Sequence, residues 1–309
     1  MNPRIVVLTG GVGGAKLVLG LIHAVPAAAV TAIVNTGDDF DHCGLAISPD
    51  IDTLLYTLSG KANAEQGWGR AVESWGFMAA LRELGGEDWF QLGDGDLALH
   101  VLRTEALRRG ETLSAITARF ARAWGIGAAI LPMSDDPVRT MVDTEEGELP
   151  FQRYFVARRC APAVRAIRFE GADAARPAPG VTEAIAAADA ILIAPSNPFL
   201  SVDPLLAVPG IRAALAETAA PVVAVSPIVG GKAVKGPTTK LMAELGIAAS
   251  ASAIAHHYAG LIDGLLVDER DPPADLPIAE ARCDTLMHSL DDRIRVARAA
   301  LALAEQLAR

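Results

Sequence analysis

Four glycines and a lysine follow the first apolar run of the chain, and their types suit phosphate binding. Residues 4–9 form a mainly apolar run rich in β-branched residues, and the run Gly-Gly-Val-Gly-Gly-Ala-Lys follows them directly. Glycines at a helix N-terminus let an anion approach the backbone. The spacing fits neither the dinucleotide fingerprint nor the Walker loop, so a plain tight turn is the alternative. The position at a first strand–helix junction favours phosphate binding. The predicted phosphate ligands are Gly10, Gly11, Gly13, Gly14 and Lys16.

Four pairs of aspartates, at positions 38/39, 50/52, 94/96 and 135/136, are candidate cation ligands. Any one pair alone is most often a solvated turn or a helix cap. Asp38, however, follows a second apolar run, at the edge where open α/β sheets bind ligands. Asp50 and Asp52 share a face only if their segment is extended rather than helical. Because Mg²⁺ commonly takes one or two carboxylates plus substrate phosphates, we predict a Mg²⁺ site formed by Asp38, Asp50 and Asp52.

Two later loops carry further polar residues. Ser196 and Asn197 follow the apolar run 190–194, and the segment 230–232, with Lys235 beyond it, follows the next such run. Ordinary turn chemistry explains either loop alone. Loops that leave neighbouring parallel strands open onto one crevice, which the first glycine loop would share. The predicted nucleotide ligands in these loops are Ser196, Asn197, Gly230 and Lys232.

The hydrophobic pattern predicts the sheet that would position these loops. Strand, glycine turn (10–14), helix from Lys16 and a second strand alternate at the start, and the alternation returns after residue 189. The chain closes with an amphipathic helix whose Ser289 and Asp292 have capping-box spacing. The predicted fold is α/β, a Rossmann-like doubly wound parallel sheet with an inserted α+β subdomain.

The predicted core comprises residues 1–60 and 180–309, and the insertion comprises residues 61–179. The insertion reads as helices up to about residue 128 and as strands thereafter, with a hairpin turn at 145–148. It holds all four tryptophans of the chain. We expect it to form part of the acceptor site, because the core loops are assigned to the nucleotide.

Composition restricts the possible partners. With 51% hydrophobic and 21% charged residues, the 309-residue chain can fill a sizeable core. Its formal net charge of −10 argues against nucleic acid, whose phosphates need a basic face. The three cysteines fit neither a disulfide framework nor a zinc motif, which favours a reducing compartment. No apolar run approaches the ~20 residues of a membrane helix, and 5–8 is too short for a signal peptide. We expect a cytoplasmic protein with no membrane partner.

The motifs together resemble those of the 2-phospho-L-lactate transferase family of coenzyme F420 biosynthesis. The glycine run, Val-Asn-Thr-Gly-Asp-Asp at 34–39, Ser-Pro-Asp-Ile-Asp-Thr at 48–53 and Leu-Gly-Asp-Gly-Asp-Leu-Ala at 92–98 carry the resemblance. Leu-Pro-Met-Ser-Asp-Asp-Pro-Val, Pro-Ser-Asn-Pro and Ser-Pro-Ile-Val-Gly-Gly-Lys extend it in the family's order. The resemblance covers nearly the whole chain, and the full set of motifs is highly specific.

The resemblance implies a transferase that moves a phospho-acid from a guanosine diphosphate diester to the deazaflavin Fo (7,8-didemethyl-8-hydroxy-5-deazariboflavin). GMP is released, Mg²⁺ is required and a homodimer is favoured. Asp38 falls at a metal-linked position and Asp52 at a position contacting Fo or the metal, and these two are the predicted catalytic residues. Gln91 and Asp94 fall in the Fo site. Family members often carry a basic residue near Gln91, and an arginine or lysine where Gly95 stands.

Two other functions compete with this one. The first is a non-catalytic, nucleotide-sensing regulator that resembles the gluconeogenesis-factor family, which shares the glycine loop but lacks the paired aspartates of Ser-Pro-Asp-Ile-Asp-Thr. The second is an NAD-dependent dehydrogenase, which Lys16 and the lack of a persuasive acid/base set disfavour. Within the transferase reading, 2-phospholactate, phosphoenolpyruvate and 3-phosphoglycerate remain open as the transferred acid.

Overall fold

The computed structural model describes residues 3–234 and 236–308. The first half of the chain, in order, contains β1 (Ile5–Thr9), α1 (Gly11–Ala24), β2 (Val30–Val34), β3 (Phe40–His42), β4 (Leu45–Ile47), α2 (Pro49–Leu58), α3 (Gly76–Glu83), α4 (Asp94–Arg108), α5 (Leu113–Ala123), β5 (Ala129–Pro132), β6 (Arg139–Thr144) and β7 (Gly147–Pro150). The second half contains β8 (Val164–Glu170), α6 (Val181–Ala187), β9 (Ala190–Ile193), α7 (Asp203–Ala207), α8 (Pro209–Glu217), β10 (Val222–Val225), β11 (Ile228–Val229), β12 (Lys232–Ala233), α9 (Thr238–Glu244), α10 (Ala251–His257), β13 (Gly264–Asp268), β14 (Ala279–Cys283) and α11 (Leu290–Leu307).

Seven of these strands form one parallel sheet, in the order β14-β13-β10-β9-β1-β2-β5. From β1 the chain moves outward through β2 to β5, and then returns to β9 on the other side of β1. The strand order therefore reverses between β1 and β9. A doubly wound α/β sheet binds its ligands at such a switch point, outside the carboxyl ends of the strands. The predicted Rossmann-like α/β fold is confirmed.

Both faces of the sheet are covered, which explains the unbroken apolar runs in its strands. All five residues of β1 are buried. Val6 and Leu8 belong to one hydrophobic cluster, whereas Ile5 and Val7 belong to a second cluster on the opposite face. Successive side chains of a strand point to opposite faces, so a two-sided core requires apolar residues at every position.

Several predicted boundaries hold, but the first helix differs. It begins at Gly11 rather than at Lys16, so Gly11, Gly13 and Gly14 form its first turn. Only Gly11, with φ of 63°, departs from helical backbone in this turn. The hairpin turn at 145–148 is confirmed by the pairing of β6 with β7. The capping box of α11 is also confirmed, since Ser289 and Asp292 each accept a hydrogen bond from the other's backbone.

One strand of the predicted insertion belongs to the central sheet. β5 pairs in parallel with β2 and forms the edge of the seven-stranded sheet. A short apolar run gives no information about its partner, so its sequence alone did not separate it from the strands that follow. Those strands form a separate antiparallel sheet in the order β7-β6-β8. The domain boundaries as such stay a prediction.

Within residues 3–234 and 236–308, no single helix has the length and hydropathy needed to cross a membrane. Two helical segments, Pro198–Ala207 and Pro209–Glu217, have the required length and hydropathy only when they are counted together. They are bent by 89° relative to each other.

Candidate active site

A cavity of about 470 Å³ opens at the switch point of the sheet. Its floor is formed by the loops that follow β1 and β9, and its walls come from α2, the N-terminal part of α4 and the segments after β10 and β14. Ten of the predicted site residues line it: Gly10, Gly11, Gly13, Lys16, Asp38, Asp50, Asp52, Gln91, Ser196 and Asn197.

The N-terminus of α1 faces this cavity, and its N-cap residue, Gly10, has no side chain that could cap it. The first N–H groups of a helix lack partners within the helix and carry partial positive charge. Lys16 adds a cation one turn further on, and its Nζ also donates to the carbonyl oxygen of Met287 at 2.8 Å. This arrangement can bind the phosphates of a nucleotide.

The glycines of α1 also let this helix approach the β9 loop closely. A Cβ at position 13 would lie 2.8 Å from the Pro195 carbonyl oxygen, and one at position 14 would collide with the Thr9 hydroxyl. Gly14 is buried and does not line the cavity. Its role in the structure is therefore packing beneath the site.

Ser196 and Asn197 join the β9 loop to the glycine segment. The Ser196 hydroxyl donates to the carbonyl oxygen of Gly10 at 2.7 Å. The Asn197 side-chain oxygen accepts from the N–H groups of Phe199 and Leu200, at 3.0 and 3.2 Å. Among the described residues, Nδ2 of Asn197 has no hydrogen-bond partner, although it is buried. Asn197 can therefore donate to a ligand without losing an internal hydrogen bond.

Two buried carboxylates, Asp38 and Asp50, lie together beside the N-terminus of α1. Burial raises the pKa of Asp38 well above its ordinary value, and the charge of Asp50 adds to this shift. Burial also raises the pKa of Asp50 to about 6, although hydrogen bonds from Asn35 and Gly11 oppose the shift. Oδ1 of Asp38 has no hydrogen-bond partner among the described residues. A like-charged, desolvated pair with an unpaired oxygen suits a dication.

A cation at this pair would need further ligands from a substrate. The described residues contain no group of three or more histidine, cysteine, aspartate or glutamate side chains arranged to hold a metal by themselves. Mg²⁺ commonly binds one or two carboxylates and completes its shell with phosphate oxygens and water. Asp38 and Asp50 fit that mode of binding.

Asp52 points away from this pair because its segment is helical. Pro49 begins α2, and Asp50 and Asp52 both lie in its first turn. Asp52 forms a two-pronged ion pair with Arg103, which donates to Oδ1 and, at 3.2 Å, to Oδ2. Arg103 is itself almost fully buried. Both oxygens of Asp52 are therefore engaged by Arg103, whereas Asp38 keeps an unpaired oxygen among the described residues.

Two polar residues that the sequence analysis missed, Tyr56 and His100, also line the cavity, together with Asp96, which it named only as part of the aspartate pair 94/96. The Tyr56 hydroxyl donates to Oδ1 of Asp96. Nε2 of His100 lies 3.1 Å from Oδ2 of Asp96, and its Nδ1 lies 3.7 Å from Oδ2 of Asp52. Asp96, His100 and Arg103 are spaced i, i+4 and i+7, which places them on one face of α4. That spacing is the signal by which the sequence could have identified them.

Four predicted residues do not line the cavity. Asp94 caps α3, because its carboxylate accepts from the Ser74 hydroxyl at 2.6 Å and from the N–H groups of Gly76 and Phe77. Gly230 and Lys232 are exposed at the β11–β12 hairpin. Gly14 lies beneath the site, and Lys235 is outside the described residues.

This chain departs from the family pattern at Gln91 and Gly95, and an arginine from elsewhere in the chain lies close to each of these two residues. Arg82 donates to the Gln91 side chain at 2.9 Å, which supplies a guanidinium beside that position. A Cβ at Gly95 would collide with the guanidinium of Arg70. Positive charge therefore lies near both positions, although residues 91 and 95 do not carry it.

The outer part of the cavity is apolar and is formed largely by the predicted insertion. Its wall includes Trp68, Phe90, Phe151 and Phe155, and the last two rings stack at 5.3 Å between centroids. Trp68 is 49% exposed, which is unusual for the largest side chain in a protein. Such a wall suits a flat aromatic ligand.

Comparison with known proteins gives matches in sequence and in fold. A sequence model of the family described as 2-phospho-L-lactate transferase CofD matches residues 5–305. The fold also resembles the crystal structure of a UPF0052-family protein from Bacillus halodurans, with a TM-score of 0.63. That match covers 96% of this chain and 99% of the other, at 19% sequence identity, and so concerns the fold alone.

Relatives named phosphoenolpyruvate transferase are much more similar in sequence. The protein of Streptomyces griseus is 47% identical over 98% of this chain and 99% of its own length. The proteins of Streptomyces coelicolor and Thermobifida fusca are 45% and 43% identical, each over 98% of this chain and 99% and 98% of their own lengths. These names favour a transferase over the regulator and the dehydrogenase considered above. With a family match that spans residues 5–305, the chain belongs to the 2-phospho-L-lactate transferase CofD family, whose members act as transferases in coenzyme F420 biosynthesis.

Proposed function

We propose that this protein transfers a phosphoenolpyruvyl unit from a guanosine diphosphate diester to the deazaflavin Fo and releases GMP. One observation carries the proposal: a single cavity joins a glycine-rich helix N-terminus and a buried acidic pair to an aromatic wall. The first two features suit the diphosphate and the third suits a flat acceptor. The names of the Streptomyces relatives favour phosphoenolpyruvate among the three acids left open by the sequence.

The chain's own groups would position the reactants. The N–H groups at the start of α1 and the Lys16 ammonium would bind the phosphate oxygens, and Asn197 Nδ2 would donate to the nucleotide. Asp38 and Asp50 would hold Mg²⁺. The bound ion would neutralise the charge that develops on the phosphates. Because the described cavity holds no activated nucleophile such as a cysteine thiolate, direct attack by the acceptor hydroxyl is the simplest route.

The test combines the purified protein with Fo, Mg²⁺, GTP, a partner guanylyltransferase and one of the three candidate acids. Mass spectrometry should detect a Fo product and GMP, with phosphoenolpyruvate giving the fastest turnover. Its product is lighter by two hydrogens than the phospholactyl product, so the two are readily separated. If no acid yields a Fo product while the protein still binds GMP, the transfer is wrong and the nucleotide-sensing regulator gains support.

Two further proposals, on the location and the oligomeric state of the protein, rest on the family resemblance. We infer a cytoplasmic location and a homodimer for this protein. Size-exclusion chromatography with light scattering of the purified chain tests the second; a mass equal to the 32.2 kDa of one chain would contradict it.

A further inference from the structure

The polar groups between α2 and α4 form a chain that the mechanism above does not use. The Tyr56 hydroxyl donates to Oδ1 of Asp96, and Nε2 of His100 lies 3.1 Å from its Oδ2. His100 in turn lies against Arg103, with 3.3 Å between Nδ1 and Nη1. Tyr56, Asp96 and His100 all line the cavity, although His100 is almost fully buried. Buried polar networks of this kind fix the orientation of their members.

The transfer releases a proton, and the arrangement of the carboxylates decides which can accept it. Both oxygens of Asp52 accept hydrogen bonds from Arg103, and its side chain is 7% exposed. The Asp96 side chain is 15% exposed, and no arginine or lysine is bonded to it in the described part of the chain. Asp38 and Asp50 are the proposed Mg²⁺ ligands. Outside the proposed Mg²⁺ pair, Asp96 is therefore the more exposed of these cavity-lining carboxylates, and its charge is not compensated by a bonded arginine.

We propose that Asp96 accepts the proton of the attacking hydroxyl, with Tyr56 and His100 as its positioning residues. This inference rests on the proposed function. In the step, the O–H bond of the acceptor breaks and its oxygen forms a bond to the phosphorus that bears the acid. The phosphorus–oxygen bond to GMP breaks, GMP leaves with the electron pair, and the proton moves to the Asp96 carboxylate.

Asp96 also lies on the side of the cavity where the acceptor should bind. It belongs to the first turn of α4, directly after the cavity-lining residues Phe90 and Gln91. Trp68 lies in the same wall. The proposed phosphate-binding groups, at the start of α1, line the same cavity. Asp96 therefore shares one opening with both the aromatic wall and the groups that would hold the phosphorus.

The surrounding charges keep Asp96 unprotonated. Burial acts to raise its pKa, but the hydrogen bonds and charges of His100, Tyr56 and Arg103 outweigh it, so that the pKa of Asp96 lies below its ordinary value. The other charged groups nearby are Asp52 on α2 and the Arg70–Glu73 pair, which packs against Gly95. An ionised aspartate is the group that accepts the substrate hydroxyl proton in protein kinases, where the reaction is also phosphoryl transfer.

The first test replaces the base without changing its size. Asp96→Asn should lower kcat by about 10²- to 10⁴-fold, the usual contribution of a positioned base. The KM for Fo and the affinity for GMP should stay within about threefold, since the amide has the size of the carboxylate and its oxygen can still accept from the Tyr56 hydroxyl. Glu105→Gln, on the exposed side of α4, is the matched control and should leave kcat, the KM for Fo and the affinity for GMP unchanged.

The second test separates a proton acceptor from a structural residue. Tyr56→Phe removes the hydroxyl that stabilises the charged form of Asp96, so the acidic limb of the pH profile of kcat/KM for Fo should move to higher pH. In Asp96→Asn the acidic limb should be set only by groups such as Asp38 and Asp50, whose pKa values are raised, so adding Tyr56→Phe to that variant should no longer move it. The inference is overturned if the wild-type protein transfers the phospho-acid, but Asp96→Asn keeps its rate or Tyr56→Phe keeps the position of the limb. A wild-type protein that performs no transfer contradicts the proposed function instead.

Discussion

The acidic pair at the start of α1 is costly to the protein unless a cation accompanies it. Asp38 and Asp50 are both almost fully buried, and the charge of Asp50 disfavours the charged form of Asp38. Neither forms an ion pair with an arginine, lysine or histidine within the described residues. This differs from Asp52, whose charge is compensated by Arg103. The pair therefore stores electrostatic repulsion that a bound dication would relieve.

This repulsion predicts an unusual pH dependence of stability. The unfolded aspartate has a pKa of about 3.9, whereas burial raises that of Asp50 to about 6 and that of Asp38 well above its ordinary value. The folded state therefore binds the protons of the two carboxyl groups more tightly than the unfolded state does. Their contribution to the free energy of unfolding is fully present below about pH 4 and is lost as the pH rises through the pKa values of the folded state. With EDTA present, Asp38→Asn should be more stable than the wild type at pH 8, by on the order of 1–3 kcal/mol. The gain should shrink toward pH 5.

Urea unfolding across this pH range measures the difference, with and without Mg²⁺. Magnesium should stabilise the wild type but not Asp38→Asn, so the order of stability should reverse when the ion is added. Asp41→Asn, at an exposed position of the neighbouring hairpin, is the control and should follow the wild type. Equal stability of Asp38→Asn and wild type at every pH, with equal responses to Mg²⁺, would show that the pair is not a cation site.

At the scale of single residues, the sequence could identify the types and the loops but not the directions of side chains. The pair Asp94/Asp96 shows this limit. The sequence favoured Asp94 for the acceptor site, but Asp94 caps α3 and Asp96 lines the cavity. A hydrogen-bonding cap for another helix depends on tertiary contacts that a local pattern does not contain. The sequence also left open whether the segment that holds Asp50 and Asp52 is extended or helical. Because α2 begins at Pro49, the two side chains do not share a face.

Among the secondary-structure elements, α1 owes its position to glycines with different roles. Gly14 lets the helix approach the β9 loop, because a Cβ there would collide with the Thr9 hydroxyl and would lie 2.9 Å from that of Ser196. Gly11 has open space around its missing Cβ but takes a φ of 63°. One position is restricted by packing and the other by backbone conformation. The sequence predicted their shared function in phosphate binding but could not separate these roles, since both are glycine.

Substitution should distinguish the two glycines. Gly14→Ala should lower the free energy of unfolding by about 1–3 kcal/mol, the usual cost of overpacking. Gly11→Ala should cost about 1–2 kcal/mol because alanine disfavours the left-handed backbone. Asparagine tolerates that backbone, so Gly11→Asn should be more stable than Gly11→Ala, whereas Gly14→Asn should be no better than Gly14→Ala. Thermal and urea unfolding give these values.

The opposite ranking at either position would refute the assignment. A valine at position 13, where the Cβ would press on the Pro195 carbonyl, would disturb packing and phosphate binding together. It is therefore unsuitable as a test of phosphate binding alone.

For the whole molecule, the sheet and the insertion provide different halves of one cavity. The doubly wound topology brings the β1 and β9 loops together, and this half follows from the strand–helix alternation seen in the sequence. The aromatic half depends on where the long loops between α2, α3 and α4 fold, which no periodicity specifies. Hence the sequence predicted that the insertion would form the acceptor wall but could not say which tryptophan would face the cavity.

Of the four tryptophans, Trp68 alone lines the cavity in the described structure, and a test of the acceptor wall should centre on it. Trp89 packs among Phe40, His42 and Phe90, with the Arg153 guanidinium 4.3 Å from its ring centroid, and Trp124 packs against Tyr56. Loss of an aromatic contact costs about 0.5–1.5 kcal/mol beyond buried area, so Trp68→Ala should weaken Fo binding by at least about two- to tenfold.

The emission of Fo itself should be used for the titration, because energy transfer from distant tryptophans would obscure changes in protein fluorescence. Trp75→Ala is the matched control, since Trp75 is 37% exposed but does not line the cavity, and its Kd for Fo should equal that of the wild type. Equal affinities of Trp68→Ala and Trp75→Ala would mean that Trp68 does not contact the acceptor. The deazaflavin ring would then have to lie against Phe151 and Phe155, on the far side of the same opening, with its ribityl chain still directed toward the phosphates.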